Sequence, residues 1–288
     1  MKRRNYSPHT IKNYLNQLKH FLSWLNVPVE AASNAEIKRY IDYLLEQQKF
    51  PKTINCHLMA IRKFYNYLRE EEEIPVTDPV RRGYALRLPK PLPRHLRDEH
   101  VTDLFGIIKK PRDRAMFTLM LRCGLRVDEV AKLTIDAIDY RRSRIFVYRG
   151  KGGKDRVVYI SSDAGEALAE YLQARPPTKN KEIFLVEKGK CKGEPISVRG
   201  IQKRIEHYAK KVGLPVSCHH LRHTMATQLL NADAALVTIQ DLLGHARIMT
   251  TQRYCRVSNV KAQRDYHKAM ENIMAKSEMK KAEHMTKH

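Results

Sequence analysis

Pro89, Pro91 and Pro93 fall within five positions, and a segment built this way cannot become a helix. Each ring fixes φ and removes a backbone donor, which favours an extended, semi-rigid strip. The stretch from Leu88 to Arg94 therefore predicts a break between two folded parts. The expected plan is an N-terminal domain over residues 1–88, a linker over 89–97 and a second domain over 98–288. A chain of 288 residues is long enough for two modest domains.

Before the break, the apolar residues recur at helical spacing. Ser7-Pro8 reads as an N-cap with proline at the first helical position. Ile11, Tyr14, Leu15, Leu18, Leu22 and Leu25 then form one stripe. Ser33-Asn34-Ala35-Glu36 is a capping-box pattern opening a second helix, whose face is Ile37, Tyr40, Ile41, Leu44 and Leu45. A third helix opens near Thr53, carries Ile54, Leu58, Ile61, Phe64, Tyr65 and Leu68, and ends in the acidic run Glu70 to Glu73. A short fourth helix is expected after Asp78-Pro79. Such amphipathic helices can bury their stripes against one another as a small bundle. The bundle's outer faces would carry Lys12, Lys19, Lys38, Arg39, Arg62, Lys63 and Arg69, a surface suited to phosphate contact.

After the break the pattern is mixed. Helices are predicted over 113–121, 127–133, 163–174 and 198–211, the last closed by Gly213, and a further run of helices is expected after it. Arg144 to Tyr148 and Arg156 to Ile160 are strand-like, and the glycine-rich stretch Arg149 to Asp155 between them reads as a hairpin turn. The fold class expected is mainly α with a small β-sheet, an α+β chain.

Composition narrows the partner. Lys and Arg total 54 against 31 Asp and Glu, so the formal net charge is +23, spread along the chain. That footprint points to a polyanion, nucleic acid above all. A hydrophobic content of 42% excludes a disordered chain. No apolar run approaches the ~20 residues that span a bilayer, and no apolar stretch follows Met1-Lys2-Arg3-Arg4, so neither a membrane anchor nor a signal peptide is expected. Cys56, Cys123, Cys191, Cys218 and Cys255 are odd in number and form no C-x-x-C pair, the usage expected of reduced thiols in a cytoplasmic protein.

Breaking a phosphodiester without a metal demands preorganised cations around the phosphorus, a nucleophile and a proton donor for the leaving oxygen. The chain offers residues of each type. His219 and Arg222 are three apart and can share a helix face. Arg126 stands at a helix start, where backbone donors also favour an anion. His245 follows Leu242-Leu243-Gly244, and Tyr254 lies on a short segment beginning at Thr250. Lys151 sits at the hairpin tip, where it or Lys154 could equally hold a DNA backbone. The Gly-rich turn lacks the G-x-x-x-x-G-K-[ST] spacing of a phosphate-cradling loop. His219, His220 and His223 beside Cys218 evoke zinc, but H-E-x-x-H is missing and an arginine stands among them. No metal and no cofactor are expected.

The ordered set is more specific than its parts. Cys123-Gly124-Leu125-Arg126-Val127-Asp128-Glu129-Val130, Gly150-Lys151-Gly152, His219-His220-Leu221-Arg222-His223, Leu243-Gly244-His245 and Thr250-Thr251-Gln252-Arg253-Tyr254 resemble the tyrosine site-specific recombinases of the lambda-integrase family. Size and arrangement are most similar to the compact Xer-type members and mobile-element integrases. The resemblance implies a SAM-like helical core-binding domain followed by a catalytic domain. It implies that Arg126 and Arg222 bind the scissile phosphate and that His245 donates to it. His219 would assist proton transfer at the tyrosine, Lys151 would act as general acid, and Tyr254 would form a 3′-phosphotyrosyl link. Glu129 is then either a partner that orients the site or a plain surface acid. Partners implied are double-stranded DNA with paired half-sites and three further copies of the chain in a tetramer, with a second recombinase or accessory protein also open. Ala262, Tyr266, Ala269, Met270 and Ile273 form a C-terminal stripe that would dock on a neighbouring protomer or fold back on its own domain. The alternatives are a type IB-like topoisomerase and a DNA-binding protein that has lost catalysis.

Overall fold

Ser7 accepts a hydrogen bond from the Thr10 amide at 3.2 Å and Pro8 follows it, so α1 (Pro8–Trp24) starts where its cap chemistry dictates. The structure, a computed structural model, describes residues 6–89, 94–148, 155–244, 250–252, 263–271 and 274. Contacts divide the chain into two units, Met1–Pro91 and Leu92–His288.

In the first unit, α2 (Asn34–Glu46) opens on the Ser33/Glu36 capping box, with the Ser33 amide donating to Glu36 at 2.8 Å. Helix α3 (Pro51–Glu70) follows. The three helices bury Phe21, Ile37, Tyr40, Leu44, Ile54, Ile61 and Tyr65 in one core. Inside it the Tyr40 hydroxyl lies 2.9 Å from the Nδ1 atoms of both His20 and His57. The expected fourth helix is absent: only a 3₁₀ turn, Arg82–Tyr84, lies in that stretch. Side chains of α3 hold the segment instead. Arg62 bonds Asp78 and donates to the Val80 carbonyl at 2.9 Å, and Asn55 bonds both backbone groups of Leu86 at 2.8 and 2.9 Å. The backbone groups there are satisfied without a helical ladder.

In the second unit, α4 (Asp98–Gly106) precedes α5 (Pro111–Arg122), which is buried on nearly every side and packs against α7 (Ser162–Ala174) and α9 (Cys218–Asn231). Between them lie α6 (Val127–Ala131) and an antiparallel sheet of β1 (Ile138–Asp139), β2 (Arg144–Val147) and β3 (Arg156–Tyr159), in that order. The register pairs Ile145 with Val158 and Val147 with Arg156. Ile138, Ile145, Val147 and Val158 point into the core, so Arg156 occupies an inward-facing position. Helix α8 (Val198–Lys211) braces α5: Asp113, wholly buried, accepts from Arg112, from Arg204 at 2.7 Å and from the Tyr208 hydroxyl at 3.0 Å. Helix α10 (Leu236–Leu243) packs Ile239 and Leu243 against Met225, Ala226 and Leu230 of α9. The mostly helical chain with one small sheet agrees with the α+β expectation; α4 and the two-residue β1 are additions to it. Among the described residues no helix is long and apolar enough to cross a membrane.

Candidate active site

Gly124 starts the site. It takes φ +63° after α5, a left-handed turn that suits glycine. A Cβ there would lie 3.0 Å from Met225 Sδ and 3.2 Å from Leu243 Cδ2. The turn reverses the chain into Arg126, the residue before α6, and leaves the Gly124 carbonyl facing α9.

Arg222 enters from α9, 5% exposed. Its guanidinium donates to the Gly124 and Leu243 carbonyls. Arg126 donates through Nη2 to the same Leu243 carbonyl and to that of Gly244, both at 3.1 Å. Two guanidiniums from distant segments thus meet on one oxygen at the C-terminus of α10. A helix C-terminus favours cations, which helps to keep both charges there. Gly244 ends α10 in the left-handed region, with its amide donating to Asp241 at 2.9 Å.

Glu129 is no surface acid. Its side chain is 6% exposed and accepts from the Arg126 amide at 2.7 Å and from Arg126 Nη1 at 2.8 Å. Arg156, 8% exposed, grips the same carboxylate with both terminal nitrogens at 2.7 Å, while its Nε donates to the Leu242 carbonyl at 2.9 Å. Burial by itself would raise the Glu129 carboxyl; the hydrogen bond and charge of Arg156, then the Arg126 amide and charge, overcome it and hold the carboxyl at about 2. Three arginines against one carboxylate leave the cluster cationic, so it can hold an anion through forked donors.

His219 is exposed on the first turn of α9, one turn before Arg222. The neighbouring His220 serves another end: its Nδ1 lies 3.3 Å from the Ser217 amide and caps α9. Cys123 and Cys218 are buried, and burial pushes both thiols up to about 12, so neither is poised as a nucleophile. Among the described residues no group of three or more His, Cys, Asp and Glu side chains could hold a metal. The structure therefore brings together Arg126, Arg222 and Glu129, with His219 on the helix of Arg222. Lys151, its rival Lys154, His245 and Tyr254 lie outside the described residues. Thr251, three residues before Tyr254, is fully buried. Arg156 escaped the sequence reading. Its one signal was a charge on the inward face of β3, at the same parity as Val158.

Comparison with known proteins gives the family. Residues 94–261, which include all six candidate positions, match the phage integrase family, and residues 1–72 match the phage integrase N-terminal SAM-like domain. Tyrosine recombinase XerC of Halalkalibacterium halodurans is 34% identical over 277 residues, covering 88% of this chain and 89% of that protein. Tyrosine recombinase XerA of Thermococcus kodakarensis is 31% identical over 272 residues, covering 93% of this chain and 92% of that one. The crystal structure of XerA recombinase aligns with a TM-score of 0.56 and 27% identity over 93% of this chain and 95% of that chain. The structure of XerH site-specific recombinase bound to a palindromic difH substrate aligns with a TM-score of 0.74 over 91% of this chain and 80% of that chain; at 20% identity it speaks for the fold alone. The chain belongs to the phage integrase family. It is a tyrosine recombinase of Xer type, an enzyme that cleaves and rejoins DNA in site-specific recombination. The topoisomerase reading finds no support in these matches.

Proposed function

We propose that Arg126, Lys151, His219, Arg222, His245 and Tyr254 form one phosphoryl-transfer site. Arg126 and Arg222 hold the non-bridging oxygens of the scissile phosphate, and His245 adds a hydrogen bond to them. His219 takes the tyrosine proton, the Tyr254 oxygen bonds to phosphorus, and the 5′-oxygen leaves with a proton from Lys151. The 3′-phosphotyrosyl ester keeps the energy of the broken bond, so a 5′-hydroxyl from a second strand can displace the tyrosine and reseal the DNA without a nucleotide cofactor or metal. The observation that carries this reading is the meeting of the two guanidiniums on the Leu243 carbonyl. Phosphate oxygens are acceptors of the same kind, and donors fixed in advance stabilise the charge that develops there.

The domain plan proposed is a core-binding domain over 1–88, a linker over 89–97 and a catalytic domain over 98–288. The substrate is double-stranded DNA with paired half-sites, met in the cytoplasm. Each chain brings one nucleophilic tyrosine and two duplexes need four strand transfers, which favours a tetramer on DNA. Residues 263–271 are helical and Tyr266 is 62% exposed in the single chain, which favours docking of that stripe on a neighbouring protomer.

The decisive experiment is covalent trapping on a nicked half-site. The native chain is expected to give a protein–DNA adduct, and Tyr254→Phe to bind the same DNA and give none. An adduct with Tyr254→Phe would move the nucleophile elsewhere; no adduct with the native chain would leave a DNA-binding protein without catalysis.

A further inference from the structure

Arg156 has no place in the six-residue set, yet all three of its guanidinium nitrogens are engaged in the cluster. It spends both terminal nitrogens on Glu129 at 2.7 Å and Nε on the Leu242 carbonyl at 2.9 Å. All three donate within the protein, so the side chain is committed to Glu129 and Leu242 rather than to DNA. Gly244 is pressed against it: a Cβ on Gly244 would stand 2.9 Å from Arg156 Cδ and 3.3 Å from its Nε. One buried fork therefore ties together the start of β3, the acid beside Arg126 and the end of α10. In sequence those are five residues past Lys151, three past Arg126 and three before His245.

The charge count shows what the fork does. Glu129 also accepts from Arg126 at 2.8 Å. With Arg156 absent, a buried carboxylate would face Arg126 alone and cancel its charge. With Arg156 present, the carboxylate is shared, and Arg126 keeps both its orientation and a net attraction for an anion. We propose that Arg156 is a positioning residue for strand cleavage: it clamps Glu129 and the Leu242 carbonyl so that Arg126 meets the scissile phosphate with its charge uncancelled. This rests on Arg126 being a phosphate ligand.

The test is single-turnover formation of the covalent adduct on a nicked half-site, with DNA affinity measured in parallel. Arg156→Met is expected to slow adduct formation on the order of 100-fold, the scale of a misplaced reacting group. Its Kd for DNA should change by less than about threefold, because the Arg156 donors are spent on Glu129 and Leu242 and not on phosphates. Combining it with Glu129→Gln removes the stranded carboxylate and should recover at least about tenfold of the lost rate. A merely structural role would make the double variant no faster than Arg156→Met. Arg156→Lys keeps the charge but not the fork; it should fold and lose about tenfold in rate. Native rates in Arg156→Lys or Arg156→Met, or no recovery in the double variant, would overturn the proposal. Failure of the native chain itself to form an adduct would instead overturn the reading of the site.

Discussion

His57 sets a pH limit on the first unit. It is 7% exposed and bonded to the Tyr40 hydroxyl at 2.9 Å. Burial, then the charges of His20 and Lys49, bring its pKa down from 6.5 to about 4. Between those values an unfolded chain takes up a proton that the folded unit refuses. The stability is thus whole above pH 6.5 and is lost as pH falls from 6.5 towards 4. Trp24, the single tryptophan, lies 4.9 Å ring to ring from Tyr40 and reports on this core. Its fluorescence should give a thermal midpoint that drops across that window in the native chain and drops less in His57→Gln. Parallel curves would assign the acid sensitivity to another group. The opposite case is Glu129, buried and yet charged, because two arginines face it, whereas His57 faces the Tyr40 hydroxyl and the like charges of His20 and Lys49.

Between elements, the critical junction is the turn at the end of α10. Gly244 has φ +57° and no room for a side chain beside Arg156, whereas Gly213 has φ +68° with open space around it. Both positions cost an alanine about 1–2 kcal/mol of left-handed strain, roughly 2–8 °C in Tm for a unit of this size. Only Gly244→Ala also pushes on the clamp. Adduct formation should therefore fall in Gly244→Ala and stay near native in Gly213→Ala; equal rates would mean that the turn does not govern the site. Most element boundaries could be read in advance, since caps such as Ser7 and Ser33 act over three or four residues. The segment after Asp78 could not, because Arg62 and Asn55 of α3 settle its backbone from a distance.

For the whole molecule, the net charge of +23 suits a polyanionic partner, and the proposed docking of the tail on a neighbouring protomer can be tested by removing it. Deleting residues 260–288 should leave binding to one half-site intact and abolish cooperative occupation of two. Gel-shift titration on one-site and two-site duplexes separates these, and cooperativity unchanged in the deletion would mean that the tail folds back on its own domain. Arg264 reaches Asp233 at 2.9 Å, so the helix has an anchor on its own chain while Tyr266 stays exposed. The division into helical bundle and mixed second part is written locally in apolar periods, caps and the three prolines, and the ordered Arg, His and Tyr motifs carry the family. The convergence of Arg126 and Arg222 on Leu243, the burial of Glu129 and the part of Arg156 are written nowhere locally. They join residues far apart in the chain, and only the packing of β3, α6, α9 and α10 sets which carbonyl and which carboxylate each guanidinium meets.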